Sequence, residues 1–310
     1  MSVPIMPAVE WFRRRRAPDL REPTMLVALS GWNDAAEVAT YSLRFIAEAL
    51  HVEPYADVDP ETFFVFTELR PTVRIAEGNQ RRIEWPANTF LCRESRGSGR
   101  DLILVIGTEP HLRWRVFVDT ILNQIDEFRV PLLVTVGGLL ADVPHTRSVR
   151  LTGGATEPRL AERLGRLNVR SSRYEGPTGV LGILGQAARA RELPSVSLWG
   201  NVPHYINHTP NPKVARAMLR RLDTLLDLGL DLTPLEESVL DFERQVGEAI
   251  ARDKDAQAYV RQLEDRDDAP PLEEAAGSPE PLADLPSGEE VVRSLEEFLR
   301  RRKDREGDGS

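Results

Sequence analysis

The sequence predicts an α/β fold, a mostly parallel sheet covered by helices on both faces. Three observations carry that prediction. Compact apolar runs at residues 24–30, 101–106 and 131–136 read as strands buried on both sides, because a strand with one wet face would alternate. Longer stretches between them repeat apolar residues at helical spacing, so strands and helices alternate as βαβ units require. Polar, glycine-bearing turns follow the runs, the composition of loops at strand ends in open α/β sheets.

Taken in order, residues 24–30 form the first strand, and Asn33 or Asp34 can cap a helix continuing to about Leu50. Residues 52–93 hold short alternating runs at 63–67, 82–85 and 89–92, which suggest antiparallel ribbons inserted after that helix. Residues 101–106 form a strand ended by Gly107. Residues 113–128 follow as a helix with Val116, Ile121, Leu122 and Ile125 inward. Residues 131–136 form the next strand, ended by Gly137-Gly138. Helices over 177–191 and 212–228 bracket a strand at 195–199. Thr233 and Pro234 then start one long helix reaching Glu264. Its Leu235, Val239, Phe242 and Val246 make a heptad-like seam that weakens past Ile250, and its charge density suits a protruding or surface-packed helix.

Composition changes near residue 265. Residues 265–310 carry 14 acidic and 7 basic side chains, a net of −7, which leaves the first 264 residues at −2 of the total −9. Residues 266–286 are rich in proline, alanine and acid and read as a flexible linker. Ser287 and Glu290 then form a capping box, and Val291, Leu295 and Phe298 a helical apolar stripe that must dock on the body or on a partner. The expected organisation is an N-terminal arm (1–20), an α/β domain (21–232), a long helical appendage (233–264), an acidic linker (265–286) and a tail with a short amphipathic helix (287–310).

Several function classes are disfavoured by composition. The chain has 310 residues, and its single cysteine, Cys92, gives neither a disulfide framework nor a thiolate zinc site, so a reducing, cytoplasmic setting is the default expectation. The acidic balance argues against a general nucleic-acid or anionic-membrane binder. No apolar stretch approaches the roughly 20 residues that span a bilayer. The Arg13–Arg16 run lacks the apolar region of an export signal and reads as a solvated patch.

Chemistry-bearing residues gather in the turns after the strands. Ser30, Trp32, Asn33 and Asp34 follow the first, Thr108, Glu109 and His111 the second, Asp142 and His145 the third, and His204 the fourth; Tyr174, Glu175 and Thr178 precede a helix. Ligands in open α/β sheets bind beyond the strand carboxyl ends, so these thirteen residues form the candidate cleft. No complete signature occurs among them. The phosphate-binding glycine patterns and the Gly-x-Ser-x-Gly elbow are absent, and Trp32 sits where a phosphate loop needs a small residue. His204 and His208 are four apart, but Pro203 and Pro210 bracket them. Asp34 with Glu109 could do acid–base work, against capping and turn roles. Trp32, Trp114 and Trp199 could stack on a ligand or close the core. No cofactor and no metal is expected, and no catalytic residue can be named.

The run Val27-Ala28-Leu29-Ser30-Gly31-Trp32-Asn33-Asp34-Ala35 resembles the first strand, turn and helix of the proteasome assembly chaperone 2 family. Further matches in order are Gly107-Thr108-Glu109-Pro110-His111 through Trp114, Ala141-Asp142-Val143-Pro144-His145-Thr146, residues 172–179, and Val202-Pro203-His204-Tyr205 before Pro210-Asn211-Pro212-Lys213. The set is similar to the actinobacterial branch and covers about residues 20–264. The resemblance implies a three-layer α/β/α fold like that of purine nucleoside phosphorylases, homo-oligomeric assembly with a trimer among the options, and proteasome subunits as a candidate partner. Relatives that engage proteasomes often end in a hydrophobic–Tyr–any motif, and residues 306–310 here, Glu-Gly-Asp-Gly-Ser, do not match it. The expected function is therefore a homo-oligomeric scaffold that binds a protein partner. The alternative is a small-ligand protein or an enzyme of nucleoside or nucleotide type (hydrolase, phosphorylase or ligase) using the strand-end cleft.

Overall fold

The computed structural model describes residues 11–76, 80–95, 99–172, 174–206 and 210–268. In chain order the elements are β1 (Phe12–Arg14), β2 (Thr24–Ser30), α1 (Val38–Ala49), β3 (Glu53–Val58), α2 (Pro60–Phe63), β4 (Thr72–Ala76), β5 (Gln80–Glu84), β6 (Asn88–Arg93) and β7 (Leu102–Thr108). Then come α3 (Trp114–Phe128), β8 (Leu132–Ala141), β9 (Leu151–Ala155), α4 (Pro158–Arg166), β10 (Val169–Ser171), α5 (Val180–Ala190), β11 (Ser195–Pro203), α6 (Pro212–Leu226), α7 (Thr233–Ala251) and α8 (Lys254–Asp268).

The central sheet has nine strands in the order β1-β3-β6-β7-β2-β8-β11-β9-β10. Its middle quartet, β7, β2, β8 and β11, is parallel, so the four carboxyl ends share one edge. Antiparallel margins flank it: β6, β3 and β1 on one side, β9 on the other. The pleat sends alternate residues of the buried strands to opposite faces. Leu26, Leu104, Ile106 and Val134 meet Leu43 and Ile46 of α1 and Met218 and Leu222 of α6. Met25, Val27, Ile103 and Val105 meet Phe117 and Ile121 of α3 and Leu184 of α5. That is the three-layer α/β/α arrangement. Each fully buried Leu, Ile or Phe here is worth roughly 1.5–3 kcal/mol relative to exposure.

Several sequence expectations change, each for a packing reason. Gly137 and Gly138 do not end their strand. β8 runs through both, because a Cβ at 137 would collide with the Trp199 ring and one at 138 with Val38. Trp199 is therefore a core-closing side chain, and β11 continues past it to Pro203. Gly107 likewise lies inside β7, where a Cβ would meet Asn88. Residues 63–67 are not a strand: Asp59 caps the short α2, and Phe63 and Phe64 are buried, with Phe63 stacked edge-on to Phe117 at 5.6 Å. Only β4 and β5 form a separate ribbon, whereas β3 and β6 join the main sheet.

The arginine run lies on the edge strand and its continuation. Arg13 pairs with Asp59 at 2.9 Å, Arg15 with Asp57 at 2.8 Å and Arg16 with Glu94 at 3.1 Å, exposed pairs worth little individually. The one long helix over 233–264 is two. It breaks at Arg252 and Asp253, where the Asp253 carboxylate accepts from the backbone N–H groups of Asp255 (2.9 Å) and Ala256 (3.1 Å) and so caps α8. The chain then turns back, and the seam is used internally: Leu235 joins the main core, while Val246, Ile250, Ala256, Tyr259 and Leu263 close on Tyr205 and Ile206. His208, most of the acidic linker and the tail helix at 287–310 lie outside the described residues.

Candidate functional site

The parallel quartet brings the predicted turns to one edge, and the side chains there divide into two groups. The first group lies at the ends of β2 and β7. Gly31, at φ +117°, makes the turn after β2 in a conformation that glycine tolerates. Two residues in left-handed conformation, Ala36 and Glu37, carry the chain into α1. Asp34, 6% exposed, holds this bend: its carboxylate accepts from the N–H groups of Ala39 (2.7 Å) and Thr40 (3.2 Å) and from the Thr40 hydroxyl. Burial raises its carboxyl above the usual range despite these bonds. Asn33 is also buried, and its Nδ2 donates to Glu109 Oε1 at 2.6 Å.

That Glu109 oxygen also accepts from the Val180 N–H at 2.8 Å, at the start of α5. A carboxylate from one turn thus caps a helix 71 residues away, where the N-terminal dipole favours negative charge. A Cβ at Gly179 would collide with both Asn33 and Glu109, so the three groups are one tight joint. Ser30 Oγ donates to Thr108 Oγ1 at 3.1 Å beside it. Thr178, Glu175 and Tyr174 are exposed, and the Tyr174 hydroxyl donates to the Pro177 carbonyl at 3.0 Å. His111 faces away from this joint: its Nδ1 accepts from the Val65 N–H at 3.0 Å, with Glu68 at 4.0 Å and the Phe64 ring edge-on. Trp114 closes a turn by donating to the Pro110 carbonyl.

The second group lies at the ends of β8 and β11, under α8. The Tyr205 hydroxyl is 2.8 Å from both the His145 backbone N and its Nδ1. A hydroxyl accepting from the first and donating to the second fits a neutral imidazole. Burial, reinforced by the Lys213 cation, pushes His145 down to about 4. Lys213 donates to the His145 carbonyl at 2.6 Å and pairs with Glu243 at 2.8 Å. His204 sits between Asp142 (3.2 Å) and the Tyr259 hydroxyl (3.1 Å). An acid–histidine–hydroxyl chain resembles a relay, but burial raises the Tyr259 phenol, the reverse of an activated nucleophile. The chain works as a clasp that holds α8 to the body, together with the Arg150–Asp267 pair and a hydrogen bond from Thr146 to Glu264.

The cavity beside His145 has about 20 Å³, room for a water molecule. A larger open groove of about 1020 Å³ runs between α1 and the β4–β5 ribbon and reaches the strand ends only at Gly107 and Thr108. No group of three His, Cys, Asp or Glu among the described residues is placed to hold a metal ion. No helix among them is long and apolar enough to cross a membrane.

Beside the exposed Glu175, Thr178 and Asp142, the edge presents a set of large apolar side chains. Trp32 is 62% and Tyr174 67% exposed, and Leu112 and Leu140 are 47% exposed. Trp32, Leu112 and Leu140 stand at the ends of adjacent strands β2, β7 and β8, and Tyr174 leads into the Gly179 joint. Sequence reasoning named Trp32 and Tyr174 but not the leucines, since an exposed leucine has no local signature. It gave no role to Tyr205 and Lys213, met only within the resemblance, and did not name Tyr259; all three matter because α7 and α8 fold back.

A family model described as the PAC2 family matches residues 28–250. A Mycobacterium tuberculosis proteasome-assembly chaperone homologue of known structure is 37% identical, with a TM-score of 0.68 over 76% of this chain and 99% of that one. A Streptomyces avermitilis PAC2 family protein is also 37% identical, with a TM-score of 0.69 over 77% of this chain and 99% of its own. An archaeal proteasome activator from Pyrococcus furiosus shares the fold at 21% identity, with a TM-score of 0.62 over 76% of this chain and 97% of that one. Among proteins with curated functions, none matches.

Proposed function

The chain belongs to the PAC2 family, and on that premise we propose that it is a homo-oligomeric scaffold that binds a protein partner, proteasome subunits first, through the strand-end edge. The observation carrying this reading is the contrast along that edge. Asp34, Asn33, Glu109 and His145 direct their polar groups inward to caps and turns, while Trp32, Tyr174, Leu112 and Leu140 stay exposed. Trp and Tyr are the side chains that most often dominate binding energy at protein interfaces. An exposed apolar set on a rigid edge suits docking better than it suits small-ligand chemistry. The 37% identical Mycobacterium protein, named a proteasome-assembly chaperone homologue, supports the choice of partner.

The test is comigration of the purified full chain with recombinant proteasome α- and β-type subunits, by native electrophoresis and size-exclusion chromatography. The wild type is expected to shift one subunit class. The Trp32→Ala/Tyr174→Ala variant should weaken that binding by about 30-fold or more, as loss of a hot spot of 2 kcal/mol does. Binding to no subunit, or equal binding by wild type and variant, removes this reading. A chain ending at residue 268, where α8 ends, separates the edge from the tail as the docking element.

A further inference from the structure

We propose that the β4–β5 ribbon is the contact through which a second copy of this chain docks, its apolar face lying in the groove beside α1 of that copy. The proposal rests on the homo-oligomeric part of the preceding reading and adds the surface that makes the assembly. Register carries the first argument. Val73 stands opposite Ile83 and Ile75 opposite Arg81, so Val73, Ile75, Ile83 and, two residues on, Trp85 share one face. All four are exposed, from 47% at Trp85 to 70% at Ile75. The other face carries Thr72, Arg74, Arg82 and Glu84. The ribbon is separate from the nine-stranded sheet, and near its base Trp85 meets Phe66 edge-on at 5.0 Å.

An isolated two-stranded ribbon is marginal in water and needs packing to hold its shape. Whatever covers this face must therefore be present whenever the chain is folded, which favours a permanent neighbour over an occasional one. Charge supports a copy of the same chain. Residues 70–85 carry four arginines and two glutamates, a net of +2, so the rest of residues 1–264, whose total is −2, carries −4. The ribbon is a basic element on an acidic body, and every other copy offers that same body. The open groove of about 1020 Å³ has Val52, Pro54 and Leu91 in its lining with Glu37, which precedes α1, and Glu48 within it, beside Arg44 and Arg70. It offers apolar contacts for the isoleucines and carboxylates for Arg81, which stands opposite Ile75 on the same face. Ribbon and groove adjoin in one chain, so a closed symmetric assembly can satisfy each copy's ribbon and groove together.

Light scattering coupled to size-exclusion chromatography of the full chain decides between outcomes. If the wild type has the 34.8 kDa mass of one chain, the homo-oligomer reading itself falls. If the wild type is larger, Ile75→Asp/Ile83→Asp should reduce it to a single chain, whereas Leu240→Asp, on an exposed site of α7, should leave the assembly intact. An undiminished mass in the folded ribbon variant overturns the ribbon assignment while leaving the oligomer standing. Should the double variant fail to fold, a mixture of Ile75→Cys and Glu48→Cys chains replaces it. Mild oxidation is then expected to yield covalent dimers several-fold above either variant alone, and no excess overturns the proposal.

Discussion

The two halves of the strand-end edge begin from the same raw material, acids and histidines in turns after parallel strands, and arrive at different structures. On the β2–β7 side the polar groups are absorbed by local architecture: Asp34 holds the bend into α1, and Glu109 caps α5 beside Asn33. On the β8–β11 side they are absorbed by a distant element, α8, through His204, Tyr259 and the buried His145. The first side leaves Trp32 and Tyr174 open to solvent, while the second has a helix over it. Residue type alone therefore does not make a site. What matters is whether the backbone nearby has unpaired groups that claim the side chain first.

The largest expected effect tests the covered half. His145 titrates near 4 when folded and near its ordinary 6.5 when unfolded. The unfolded chain thus binds more protons between those values, and stability is lost as pH falls from about 6.5 to about 4, by up to about 3 kcal/mol. Urea midpoints at pH 7, 5.5 and 4 should show the loss, and His145→Gln should flatten it. An unchanged profile in that variant locates the acid sensitivity elsewhere. Next, Asp34→Ala on the open half should cost about 2 kcal/mol, because it removes a cap and strands two buried N–H groups. A loss below about 0.5 kcal/mol in chemical denaturation would show that the bend does not depend on the carboxylate.

A smaller effect sharpens the contrast between joint and catalytic acid. Glu109→Gln should lower stability by about 1 kcal/mol, since the charge at the α5 N-terminus is lost while one acceptor remains. A gain in stability instead is the mark of a residue kept for function at structural cost. Tyr259→Phe should also cost about 1 kcal/mol, with amide exchange speeding up in α8 rather than across the sheet. Uniform acceleration would mean that α8 does not open on its own. Smallest of all, Trp32→Ala should stay within about 0.5 kcal/mol of wild-type stability. A large loss there would turn the exposed edge from a docking surface into part of the core.

The family-level reading and the fold came from local information. Thr24–Ser30 is a strand in sequence and structure because an unbroken apolar run has no other way to bury both faces. The strand-end positions of Asp34, Glu109, Asp142 and His204 followed from the same alternation. Misplaced boundaries share one cause. Gly137 and Gly138 read as strand enders, yet Trp199 and Val38 require them small inside a strand, and those neighbours are 62 and 100 residues away along the chain. Residues 151–171, with β9, α4 and β10, gave no reading because three- and five-residue strands are too short to show a period.

By itself the sequence determined the layer order, the parallel core, the turns that carry polar groups and the family. The first three depend on spacing within a dozen residues, where pattern and backbone geometry are tied together, and the family on an ordered set of short motif matches along the chain. Only the tertiary structure decided which side chains those turns expose. It turned Glu109 into a helix cap, broke the long helix at Asp253 so that α8 could cover His145, and left Trp32, Tyr174 and the Val73–Ile83 face in water. Hydrogen bonds and contacts between residues tens of positions apart settle such choices, and no local period records them.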